Sequence, residues 1–106
     1  MATQAHARSH KPMLDRVRSH AAAIREIVER HGASNPRVFG SVARGEDHDG
    51  SDVDFLVSHV PRLSLFGLIR MENELAELLG VDVDVVVDDQ VPPKAQGRIF
   101  GEAVEL

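Results

Sequence analysis

Between Val38 and Val57 the chain reads VFGSVARGEDHDGSDVDFLV, and no other stretch restricts the fold as much. Val38 and Phe39 predict the end of a β-strand. Gly40 and Ser41 then turn the backbone sharply into a short helical turn, whose leading N–H groups suit a phosphate. From Ser51 a second strand begins, and its first pleats carry Asp52 and Asp54. Residues two apart on a strand share a face and lie roughly 6.5–7 Å apart along it, so these carboxylates can converge on one cation. The stretch sets a phosphate cradle beside a metal clamp.

The rest of the chain supplies elements to carry it. Leu14, Val17, Ala21, Ile24 and Val28 recur at intervals of three and four, predicting an amphipathic helix that Gly32 ends. Asn35 and Pro36 lead into a short strand, Arg37 to Phe39. The second strand, Ser51 to Ser58, is broken by Pro61. Ser64 is placed to cap a helix with Leu65, Leu68, Ile69, Leu75, Leu78 and Leu79 inward and Arg70, Glu72, Asn73, Glu74 and Glu77 in water, closed by Gly80. Val81 to Val87, VDVDVVV, predicts a third strand with its valines on one face and Asp82 and Asp84 on the other. Beyond Pro92 and Pro93, Lys94 to Phe100 predicts a short helix weakened by Gly97, and Ala103 to Leu106 a brief strand. The fold class is α/β (α+β): a small mixed sheet of three to four strands, helices packed largely on one face, and the open face lined by acids.

A chain of 106 residues has room for one domain, expected over residues 13–106, after a flexible polar tail over 1–12. His6 and His10 stand at a spacing that suits a metal on a helix, but the plainer reading is part of that tail. Aromatic residues make up only 4%, without Trp or Tyr, which argues against base-stacking platforms. The net charge of −5 argues against unaided binding of extended nucleic acid, although not against a nucleotide held through a metal. Zero cysteine excludes disulfides, thiolate zinc sites and Cys nucleophiles together. No apolar run approaches the roughly 20 residues of a membrane span and no signal-peptide pattern opens the chain, so a cytoplasmic protein is expected.

The acids carry the chemistry, with Asp52 and Asp54 on one strand and Asp84 or Asp82 on another. Two divalent cations about 3.5–4 Å apart need several hard oxygen ligands. Asp52 alone is as readily a turn or cap residue. Asp54, between Val53 and Phe55, is harder to dismiss, because a carboxylate is unfavourable inside a strand and costly if buried unpaired. Asp82 at the strand's mouth reads as a solvated charge, Asp88 and Asp89 as loop acids, and His48 as a surface loop residue. A calcium loop counted from Asp47 fails, since Asp52 stands where Gly is required and Ser58 where a bidentate Glu belongs. GSVARG lacks the ending of a Walker A loop.

Gly40, Ser41, Ala43, Arg44 and Gly45, followed by Ser51, Asp52, Asp54, Phe55, Leu56 and Val57, resemble the signature of the minimal nucleotidyltransferases (MNT) of the DNA polymerase β superfamily. The likeness runs on through the leucine-rich helix, the VDVV segment around Asp84 and the ending RIFGEAVEL, covering roughly Val38 to Leu106. The resemblance implies a polymerase β-like fold and an enzyme that transfers AMP from ATP to a hydroxyl. Gly40 and Ser41 would bind phosphates, Asp52, Asp54 and Asp84 would hold Mg²⁺, two ions in all, and Asp84 is preferred to Asp82 because apolar residues follow it. Arg44 is a further phosphate contact by this likeness, or else a solvated helix-end Arg. MNT proteins commonly act as antitoxins beside HEPN ribonuclease toxins, so a HEPN-type partner neutralised by adenylylation is expected. The alternatives are a module that masks its toxin by contact alone, and transfer to a small molecule.

Overall fold

Two registers of β pairing decide where everything else goes. The computed structural model describes residues 12–48, 50–59 and 63–106. The tail, His6, His10, Asp49 and Pro61 therefore lie outside the described residues, except that Pro12 already begins a helix. Helix α1 (Pro12–Ser19) and helix α2 (Ala21–Arg30) replace the single predicted helix. The break falls at His20, where the Ser19 hydroxyl donates back to the Arg16 carbonyl at 2.6 Å and competes with the helical ladder.

Strand β1 (Ala33–Phe39) is longer than expected, because it passes through a bulge between Ser34 and Arg37 with Asn35 at φ 52°. Asn tolerates that conformation better than most residues. The one-turn helix α3 (Gly40–Arg44) follows at once, then strand β2 (Val53–His59), helix α4 (Leu65–Leu79), strand β3 (Val83–Val87), a 3₁₀ turn (Asp88–Gln90), helix α5 (Pro93–Glu102) and strand β4 (Val104–Glu105). The sheet runs β3-β2-β1-β4. β1 is antiparallel to β2 and β4, and β2 is parallel to β3. Parallel neighbours need a crossover, which α4 provides.

Alternation along the strands divides two cores. Val38, Val53, Phe55, Val57, Val83, Val85 and Val87 pack with Leu14, Val17, Ile24, Val28, Met71, Leu75 and Leu79 of α1, α2 and α4. On the opposite face Phe39, Leu56, Val91 and Ile99 form a second, smaller cluster under α5. Both clusters are mostly aliphatic, and α5 covers part of the face that carries the acids.

α4 is capped as predicted, with the Ser64 hydroxyl accepting the Gly67 N–H at 3.0 Å and Gly80 closing it at φ 72°. Its inward face differs. Met71, Leu75 and Leu79 form the buried row, whereas Leu65 and Ile69 are 69% and 44% exposed. A row at intervals of four is narrow, and the first turn of α4 falls outside it. Glu72 and Glu74 do not simply face water either: Glu72 accepts the Val85 N–H of edge strand β3 at 2.9 Å, and Glu74 binds Arg30 and His31. Among the described residues no helix is long and apolar enough to cross a membrane.

Candidate active site

Asp54 sits opposite Phe39 on β1 and opposite Asp84 on β3. Paired positions on neighbouring strands point to the same face, with backbones about 4.8 Å apart. The Val53 N–H donates to the Asp82 carbonyl at 3.0 Å, which ties the mouth of β2 to that of β3 and holds this register. Asp52 precedes β2 and is exposed, as are Asp84 and Asp82, while Asp54 is half-buried.

No hydrogen bond or ion pair among the described residues reaches the carboxylate of Asp52, Asp54 or Asp84. Burial pushes the Asp54 carboxyl above its ordinary range, the charges of Asp84, Asp52 and Glu102 push it the same way, and Arg44 opposes them. The described residues contain no cluster of three or more His, Asp or Glu side chains drawn together as a metal site. The donor chemistry nonetheless fits one kind of ion. Carboxylates alone, one of them half-buried and lacking a donor, suit a hard divalent cation such as Mg²⁺ rather than a soft metal.

Gly40 is buried at φ 78° against Asp54. A Cβ added there would overlap Asp54 Oδ2 and come within 3.4 Å of its Cγ, so glycine is required both for the turn and for the approach of turn to acid. Phe39, the residue before α3, is extended and offers no capping side chain. The Gly40 N–H instead donates to Glu102 Oε2 at 2.7 Å, from 62 residues along the chain. Glu102 Oε1 accepts from Arg44 Nη1 at 2.9 Å, and Arg44 Nε donates to Glu46 at 2.9 Å. Those two bonds raise the Arg44 pKa. The N–H groups of Ser41 and Val42 lie before the reach of the helix's own i→i−4 ladder. The Ser41 hydroxyl makes no hydrogen bond among the described residues.

The structure thus brings Gly40, Asp54 and Asp84 together at the mouths of β2 and β3, with Asp52 at the entry to β2, and it engages Arg44 with two carboxylates. Glu102 is the participant the sequence did not disclose. Its one local cue is Arg98 four residues earlier, 3.7 Å away, and nothing local pairs it with Gly40. Asp88 is likewise more than a loop acid, since it accepts from Ser58 at 2.6 Å and from Arg37 at 3.3 Å. A cleft of about 360 Å³ bordered by Met13, Arg16, Asp47, His48, Ser51 and Val81 includes none of the three acids.

Residues 21–106 match the nucleotidyltransferase domain family. Over 80 residues the chain is 40% identical to a Methanocaldococcus jannaschii protein assigned as a protein adenylyltransferase, covering 76% of this chain and 86% of that one. It is 38% identical over 80 residues to the protein adenylyltransferase MntA of Thermococcus cleftensis, covering 76% and 81%. A solved structure described as a minimal nucleotidyltransferase superposes with a TM-score of 0.79 at 39% identity, over 88% of this chain and 95% of the other. A toxin-antitoxin crystal structure with AMP-PNP shares the fold at 21% identity and a TM-score of 0.69, over 80% and 70%. The strands that set Asp54 beside Asp84, and the glycine packed on them, lie wholly within the matched residues, and the chain belongs to the nucleotidyltransferase domain family.

Proposed function

We propose that this chain transfers AMP from ATP to a hydroxyl of a protein partner, and that the partner is a HEPN-type toxin neutralised by the modification. The observation that carries the reading is the pairing of Asp54 with Asp84 on adjacent strands, under a glycine turn packed against Asp54. Family membership supports the nucleotide, and the MntA relative supports a protein as acceptor.

Asp52, Asp54 and Asp84 are the residues to hold Mg²⁺. Bound there, the metal supplies charge neutralisation for a triphosphate and polarises its phosphoryl oxygens. The turn opened by Gly40 and Ser41 orients the β- and γ-phosphates through N–H groups that already point out of α3. The acceptor oxygen then bonds to the α-phosphorus, the bond from that phosphorus to the bridging oxygen of the β-phosphate breaks, and pyrophosphate leaves. The hydroxyl proton passes to the exposed carboxylate of Asp84. Positioning and charge neutralisation provide most of the acceleration in such chemistry. Asp52 and Asp84 lie on an open surface, against which a partner chain can bring its own hydroxyl.

A second reading, masking of the toxin by contact alone, draws on the exposed apolar side chains of Leu65 and Phe66, 69% and 73% accessible. The two separate in one assay. The protein is incubated with ATP, Mg²⁺ and the product of the neighbouring gene, and that product is weighed by mass spectrometry. Transfer predicts an added AMP mass, lost in Asp54→Asn together with neutralisation. An Asp54→Asn variant that neutralises the toxin as well as the parent does would leave contact masking as the function.

A further inference from the structure

Glu102 ends α5, with its side chain only 13% exposed. Its two oxygens accept hydrogen bonds from the Gly40 N–H and the Arg44 guanidinium, and Arg98 Nη1 lies 3.7 Å from the oxygen that Gly40 uses. Gly40 and Arg44 both belong to α3, a single turn that opens on a glycine at positive φ and has no side-chain cap from the residue before it. A carboxylate on the first N–H of a helix is a strong capping arrangement, here supplied from far along the chain.

The backbone of Glu102 is itself fixed. Val104, two residues on, pairs with Val38 of β1, and Ile99, three residues back, is buried with Phe39. Both ends of the Gly40–Glu102 bond therefore hang from the last residues of one strand. A side chain so anchored serves as a strut more naturally than as a gate.

We infer that Glu102 is a positioning residue of the phosphate turn: it holds Gly40 and Arg44, and leaves the Ser41 hydroxyl and the N–H groups of Ser41 and Val42 to the nucleotide. The inference rests on the reading of this turn as the phosphate site. It assigns Arg44 to the turn rather than to substrate. A guanidinium already shared by Glu46 and Glu102 has little charge to spare for a triphosphate, and it screens Glu102 from Asp54.

Amide exchange and chemical shifts of ¹⁵N-labelled protein test this, recorded with and without Mg²⁺ and a non-hydrolysable ATP analogue. In the parent, Gly40 is expected to be protected and to keep its shift when the analogue binds, while Ser41 and Val42 move. Glu102→Ala lowers the protection of Gly40 by about 10- to 100-fold, the range of a charge-assisted hydrogen bond, and Glu102→Gln, which keeps a carbonyl acceptor, recovers most of it. A Gly40 amide that moves on binding, with Glu102→Ala binding more tightly than the parent, overturns the inference and makes Glu102 a stand-in that the phosphate displaces. Ser41 and Val42 unmoved by bound analogue, in a protein that still transfers AMP, overturns the inference alone. The same silence without any transfer overturns the proposed function with it.

Discussion

Gly40→Ala tests the geometry of the site with one methyl group. The residue stands at φ 78°, where a side chain costs roughly 1–2 kcal/mol. For a domain of this size each kcal/mol is worth about 4–8 °C in Tm, so a fall on the order of 10 °C is expected in a thermal melt followed by circular dichroism. The functional loss has a different origin. The new Cβ overlaps Asp54 Oδ2, and to regain an ordinary contact the carboxylate must retreat by roughly 1 Å. A misplacement of that size at reacting groups costs about 100-fold in rate. Incorporation of α-labelled ATP into the partner should therefore fall about 100-fold at a temperature where the variant is still folded.

Gly50→Ala is the matched control. Gly50 has φ 87° but nothing within 4 Å of an added Cβ, so it carries the same backbone penalty without touching an acid. Its Tm should fall by a similar amount while transfer stays near the parent rate. Parent-level transfer by Gly40→Ala, or an equal loss in Gly50→Ala, would refute the claim that the turn sets the position of Asp54.

Three further outcomes follow from other contacts. Asp54 has its pKa raised by burial, Asp84 and Asp52, so the stability tied to its neutral form is present below the unfolded carboxylate value and lost as pH rises through the folded one. Asp54→Asn should accordingly melt higher than the parent in EDTA at neutral pH, with the difference gone by roughly pH 3; a variant that melts no higher at neutral pH contradicts the assignment. Asp88 is pushed up by burial but brought below its ordinary value overall by its bonds from Ser58 and Arg37. Its contribution is present above the unfolded value and lost as pH falls through the folded one, so Asp88→Ala should cost about 1–2 kcal/mol in denaturant titrations at neutral pH and progressively less in acid. Glu72→Ala frees the Val85 N–H on edge strand β3 and should produce concentration-dependent association beyond that of the parent in sedimentation velocity, whereas a profile identical to the parent's would show that the edge is protected by other means.

Asp54 was legible because the signal for it is local: a carboxylate between Val53 and Phe55 violates the apolar run of a strand, and the period of two then fixes its face. Asp82 and Asp84 carry that same signal on the third strand, so the choice of Asp84 came from the family resemblance and not from the local pattern. The cap at Ser64 and the stop at Gly80 were readable for the same reason as Asp54, since each acts within a turn of itself. The inward face of α4 was not, because the sequence offers more apolar residues than the sheet can cover. Which row wins is decided by the strands beneath it, which take Met71, Leu75 and Leu79.

Glu102 marks the limit of such reading in a more instructive way. As a residue near the end of a helix that also carries Arg98, it has a sufficient local role, and no spacing rule sends it to Gly40. Its partner is chosen by the pairing of Val104 with Val38, which sets the end of α5 beside the end of β1. Phe39, the next residue of β1, also fixes Asp54 by register, and Asp54 fixes Asp84. The turn, the acids and the strut are thus all referenced to two consecutive residues at the end of one strand, Val38 and Phe39. Formation of the sheet therefore completes the site, and the long-range bond that looks like an accessory is a consequence of the same register that brings the carboxylates together.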